Sequence, residues 1–199
     1  MYFPGNERIG IIVDGASMHA AARALEFDID FSRICRFSSE AGRLIRSEYY
    51  TVIPAASATE TQSIRPLTDW LDYNGWHLIT PVGRDVTDHA TGRRFLNKSA
   101  IIADIAVGII RMGRIVDHIL LFASRSDYCP AIDDVQTAGV RVTVVSTVTT
   151  TPVIIADELR RQADQFIDLD SIRDEICRPQ GSRPPREARD RQTEVERAT

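Results

Sequence analysis

Lysine is almost missing from this 199-residue chain. Of 24 basic residues, 23 are arginine and one is lysine, Lys98. GC-rich coding explains the arginines but leaves open why one lysine persists. Cysteine is also scarce. Cys35, Cys129 and Cys177 form no C-x-x-C and no paired spacing, so no disulfide framework is expected. No apolar run approaches the ~18–20 residues needed to span a bilayer. The first residues lack the charged-then-apolar order of a signal peptide. These absences predict a reduced, cytoplasmic protein with no membrane partner. Positive charge is in deficit too, with a formal net charge of −4. That excludes a general nucleic-acid-coating protein, but not a local nucleic-acid site.

The phosphate-cradling loops are absent. There is no G-x-x-x-x-G-K-[ST] and no G-x-G-x-x-G, which argues against an NTPase or a dinucleotide enzyme. There is no G-x-S-x-G. The four histidines, His19, His77, His89 and His118, lack metal spacing. His118 starts an apolar run and reads as structural. Cys129 follows Asp127 with no histidine nearby in sequence, so it reads as a small core residue rather than a nucleophile.

What is present is a core. The chain is 43% hydrophobic, enough for one domain. Residues 178–199 carry six Arg, four acids, three Pro and little apolar surface. Such a segment cannot offset its ordering entropy, so it is expected to be a disordered tail of net charge about +2. Residues 1–177 are then the folded domain, with about −6.

Along the domain, apolar runs at 8–13, 117–123 and 140–146 read as strands buried on both faces. A β-rich run spans 43–53, and shorter strands lie at 76–80 and 166–168. Helical patterns fall at 16–25, 31–41, 61–73, 98–112, 126–138 and 153–165, with a short helix ending at Cys177. Asp30 or Ser32 can cap the second helix. Asn74-Gly75 can close the third. Residues 81–97 read as a loop or frayed hairpin. Alternating strands and helices imply an α/β domain with a mainly parallel sheet. Trp70 and Trp76 are both expected to pack in the core.

In such a sheet, ligands bind beyond the carboxyl ends of the strands. Asp14-Gly15-Ala16-Ser17 and Ser124-Arg125-Ser126-Asp127 leave buried strands there, each with an acid. Paired acids at this edge suit a divalent ion and phosphodiester hydrolysis, but an aspartate after a strand equally caps the next helix. Arg65, Arg84, Arg93, Arg94 and Lys98 make a basic set. They read equally as a phosphate-binding rim or as an exposed charged loop.

Several strings together resemble bacterial NYN-domain proteins. They are Ile12-Val13-Asp14-Gly15-Ala16-Ser17-Met18, then Arg65-Pro66-Leu67 with Asp69-Trp70-Leu71, then Thr91-Gly92-Arg93-Arg94 leading to Lys98. Val116-Asp117-His118-Ile119, the run 139–146 and Ala156-Asp157-Glu158-Leu159-Arg160 complete the set. The resemblance spans roughly residues 8–176. It implies a PIN-like, Rossmann-like three-layer fold and a metal-dependent ribonuclease site, with Mg²⁺ or Mn²⁺ as cofactor if active. Asp14 and Asp127 match catalytic and metal-holding acids. Lys98 matches the lysine opening the family's acidic helix, and Ser17 stands where the family has Asn. With Arg65, Arg93 and Arg94, these two residues form the expected RNA contact set.

Three expected acids are also replaced. Acids expected on the helix fall on Ile102 and Gly108, and the first acid of a Ser-Gly-Asp-x-Asp string falls on Arg125. Asp104 cannot replace an acid at 102, because two helical residues differ by ~200°. Arg125 would repel a cation and could sit between Asp14 and Asp127 instead. The resemblance therefore implies an RNA-directed protein with partly lost carboxylates, reduced or absent activity, and no cofactor if the site is degenerate. The alternative is a non-catalytic interaction subunit, in a homo-oligomer or paired with an intact paralogue.

Overall fold

A computed structural model describes residues 6–54, 58–87, 94–97 and 99–178, with side chains over 6–52, 64–81 and 100–178. The run that begins the domain forms β1 (Arg8–Asp14), whose residues after Arg8 are all buried. It leads into α1 (Gly15–Ala24) and α2 (Phe31–Ala41), the latter capped by the Asp30 carboxylate. Next come β2 (Arg43–Tyr50), the two-residue β3 (Ile53–Pro54), α3 (Ala58–Tyr73) and β4 (His77–Ile79). A hairpin follows, β5 (Val82–Thr87) and β6 (Arg94–Asn97). The second half runs α4 (Ser99–Gly113), β7 (His118–Phe122), α5 (Cys129–Thr137), β8 (Arg141–Ser146), α6 (Asp157–Gln162), β9 (Gln165–Asp168) and α7 (Arg173–Ile176).

The main sheet has the order β4-β2-β1-β7-β8-β9, and every pair in it is parallel. Chain order reverses between β1 and β7. That gap is the topological switch point, where the flanking crossovers diverge and leave a crevice. A second sheet joins β3, β5 and β6, with β5 and β6 antiparallel. The stretch 81–97, read as loop or frayed hairpin, is thus a hairpin along its described residues.

Strand alternation divides the core into two layers. Ile9, Ile11, Val13 and Tyr49 face Met18 of α1, Ile34 of α2 and Ile176 of α7. Ile12 and Tyr50 face Ile105 and Ile109 of α4, Ile132 of α5 and Leu159 of α6. With helices on both faces of the sheet, the architecture is the expected three-layer α/β domain.

α4 lies very close to β2 at one point. A Cβ on Gly108 would land on the Tyr50 hydroxyl and lie 2.8 Å from the ring carbon that bears it. The Tyr50 hydroxyl in turn donates to Glu48 Oε2 at 2.6 Å. Glu48 is buried, and Arg46 Nε reaches its other oxygen at 2.6 Å.

Two expectations are corrected. The helix expected over 153–165 is only α6, Asp157–Gln162, because Val153 is exposed and the chain before α6 is irregular. Trp76 packs edge-on against Phe31, with centroids 5.5 Å apart, but Trp70 is 37% exposed and is not a core residue. His118 is fully buried at the opposite, amino-terminal edge of the sheet. Its ring meets Thr143 Oγ1 at 2.7 Å and Glu7 Oε2 at 3.1 Å, a structural role. The expected tail, apart from Arg178, lies outside the described residues. Among the described residues no helix is long and apolar enough to cross a membrane.

Candidate functional site

Asp14 ends β1 at the switch point and caps α1. Its Oδ1 accepts the backbone N–H groups of Ala16 (3.1 Å) and Ser17 (3.3 Å). Its Oδ2 accepts the Ser17 hydroxyl at 2.8 Å and the Tyr128 hydroxyl at 2.9 Å. Asp14 is 3% exposed and Tyr128 is fully buried. Tyr128 arrives from across the crevice, at the end of a 3-10 turn (Ser126–Tyr128) that follows β7. Burial, then the Asp14 charge, pushes the Tyr128 hydroxyl well above its ordinary pKa. It is therefore a neutral donor at physiological pH.

This geometry decides whether the donor set fits a divalent ion. A carboxylate offers about four lone-pair positions. On Asp14 all four meet hydrogen-bond donors inside the protein. Asp127, the other expected ligand, is largely exposed and is held by Arg125, Nε to Oδ2 at 3.0 Å. Among the described residues, Asp104 included, no three His, Cys, Asp or Glu side chains gather as a metal set. The described residues at this edge do not fit the metal that the fold family implies.

The other expected site residues separate. Ser17 is buried and spends its hydroxyl on Asp14 rather than facing a ligand. Arg125 does not bridge the two acids. It pairs with Asp127, while Asp14 is satisfied by Tyr128. Ile102 is half-buried and packs against the α4–α5 side of the core. Gly108 is the contact point beneath Tyr50, where no side chain fits. Arg65 is exposed on α3. Lys98 and Arg93 lie outside the described residues, as do Asp88 and the side chains of Arg84, Asp85 and Arg94.

Sequence reasoning missed Tyr128, Tyr50 and Glu48. The only signal for Tyr128 was its place directly after Asp127. Nothing in the local pattern indicates that its ring reaches back to β1. Further along the carboxyl edge, described residues pair with one another. Ser124 and Ser146 join the ends of β7 and β8 through hydroxyls 2.9 Å apart. Asp168 accepts the Val148 N–H at 3.0 Å.

Beside Asp14 the edge is open. A cleft of about 430 Å³ lies between α1, α3 and the end of β2, with Asp14, His19, Tyr49, Ile64, Leu67 and Ile101 in its walls. A second cleft of about 590 Å³ continues past His19, Tyr49 and Leu67.

Comparison with known proteins agrees with this architecture. The NYN domain profile matches residues 8–170. The chain is 26% identical to the low amplitude and bright protein LabA of Synechococcus elongatus over 179 residues, covering 89% of this chain and 91% of that one. Its fold is similar to that of a protein of unknown function from Vibrio parahaemolyticus, VPA0982. The TM-score is 0.65 at 18% identity, covering 89% of this chain and all of the other. With a profile match that runs from the first strand to the turn after the last, this chain belongs to the NYN-domain family.

Proposed function

We propose that this chain binds RNA without metal-assisted hydrolysis. Membership in the NYN family supports the RNA-directed part. One observation carries the second part: four donors fill the Asp14 carboxylate at the switch point. Two further features support it. Asp127 is neutralised by Arg125. An acid at 108 would displace the Tyr50 ring. A metal ion arriving here would have to break the Tyr128 and Ser17 hydrogen bonds and add a second cation beside Arg125.

Calorimetric titration with Mn²⁺ tests this. The expected result is no stoichiometric heat, and no cleavage of single-stranded RNA in the same buffer. Tight one-to-one binding that Asp14→Ala abolishes would overturn it. RNA affinity itself should fall with salt. If Arg65, Arg84, Arg93, Arg94 and Lys98 all meet phosphates, log K against log salt has a slope of about −3.5 on single strands.

One observation favours a protein partner instead. Trp70 and the 89% exposed Tyr73 share a face of α3, flanked by the exposed acids Asp69 and Asp72. Those charges repel phosphate but suit a basic protein surface. Salt-independent failure to bind any RNA would favour this second reading.

A further inference from the structure

The cleft beside Asp14 is open, mostly apolar and close to the polar edge of the sheet. Ile64, Leu67, Ile101 and Val52 supply apolar wall. Its volume of about 430 Å³ lies in the range of small-ligand pockets. At its inner end stands Tyr49. The ring is buried, packed edge-on against Phe31 with centroids 5.4 Å apart. The hydroxyl lies over Gly15, 2.6 Å from where a Cβ would be, so only glycine leaves it this position. Among the described residues it makes no hydrogen bond. Burial, then the charge of Asp14, pushes its pKa well up, so it stays a neutral donor. At the outer rim, exposed His19 projects from α1 and lines both clefts.

These features select against a phosphate and for a flat, uncharged group. The carboxylate of Asp14 at the inner end repels anions. An apolar slot suits a ring. An unpartnered hydroxyl donor suits the carbonyl or ring-nitrogen acceptors at a base edge. An imidazole at the mouth suits stacking. We propose that this cleft is a nucleobase pocket, in which one base enters between α1 and α3, stacks on His19 and accepts a hydrogen bond from Tyr49. The sugar-phosphate chain stays outside. The proposal rests on the RNA-directed reading and adds to it where a base is held.

Fluorescence anisotropy with three labelled octamers of equal charge tests it: oligo-A, oligo-U and an abasic-ribose chain. Unlabelled AMP and UMP are measured by competition and by calorimetry. Base-bearing octamers should bind roughly tenfold more tightly than the abasic one. His19→Ala and Tyr49→Phe should each reduce that gap several-fold and leave abasic affinity unchanged. Both variants keep the core, since His19 is exposed and phenylalanine retains the ring on Phe31; a thermal melt checks this. Equal affinity for base-bearing and abasic octamers overturns the pocket while leaving RNA binding intact. So does an equal loss on all three octamers in the variants. If no octamer binds, the RNA-directed reading fails. AMP or UMP binding that both variants weaken would then still support the pocket, with a free nucleotide as its ligand. No binding of either overturns both proposals.

Discussion

Asp14 takes two donors on each carboxylate oxygen, so removing one donor differs from removing the acid. Tyr128→Phe deletes one hydrogen bond to a buried charge, which costs about 1.5–3 kcal/mol. For a chain of this size that lowers Tm by roughly 3–12 °C. Asp14→Ala leaves the Tyr128 and Ser17 hydroxyls unpartnered and also removes the cap of α1. It should cost more than Tyr128→Phe. Thermal melts of the two variants and of their double mutant check this. Once the acid is gone, the tyrosine change should cost little more. At this scale the sequence drew attention to Asp14 and, through the family resemblance, to Arg125 where an acid is expected. It could not show where Arg125 points. Both an arginine between two acids and an arginine two residues from one acid satisfy the same string, and only Tyr128 filling Asp14 decides between them.

At the scale of elements, the sharpest constraint is α4 on β2. A helical Gly→Ala change usually stabilises by about 1 kcal/mol. At Gly108 the new methyl meets the Tyr50 hydroxyl, and overpacking of this kind costs about 1–3 kcal/mol. Gly108→Ala should therefore destabilise. Tyr50→Phe removes the obstructing oxygen, so the double mutant should lose less than the sum of the single losses in urea unfolding. The elements themselves were largely legible. β1, α2, β7 and β8 stand within a residue or so of the positions their apolar periodicity and caps predict, because continuous apolar runs and a capping aspartate are local signals. The expected helix over 153–165 shrank to α6. Its first residues are apolar, but Val153 faces outward, and apolar content without a face to bury does not sustain a helix. Trp70 deviated for a related reason. Its ring lies on the outward side of α3, which the pattern around Pro66 did not resolve.

For the molecule as a whole, the two edges of the sheet divide their tasks. The carboxyl edge holds Asp14 and the clefts, and the amino edge holds His118. Burial lowers the His118 pKa from its ordinary value of 6.5, with Glu7 opposing that shift only in part. The unfolded chain therefore takes up a proton more readily than the native one. Stability is complete above about pH 6.5 and declines as pH falls below it. His118→Gln should flatten the decline, as read from Tm against pH. Asp117 adds a second loss further down. Its hydrogen bond to Arg8 holds its pKa at about 2 rather than 3.8, so that contribution fades as pH drops through this window. A melt at pH 7 and another at pH 5 separate the histidine contribution, since Asp117 stays ionised at both.

The placement of β1 between β2 and β7 also bears on the order in which the molecule is made. β2 follows β1 within some thirty residues, but β7 begins at His118 and Tyr128 comes later still. Chains leave the ribosome at about 5–20 residues per second, and parallel pairing across long separations forms late. For several seconds a nascent chain thus holds Asp14 at an unpaired strand edge, with its Oδ2 still without the Tyr128 donor and open to solvent. The tyrosine that fills this acceptor is delivered with the second half of the sheet, so a truncated product ending before β7 would display a carboxylate that the finished protein conceals.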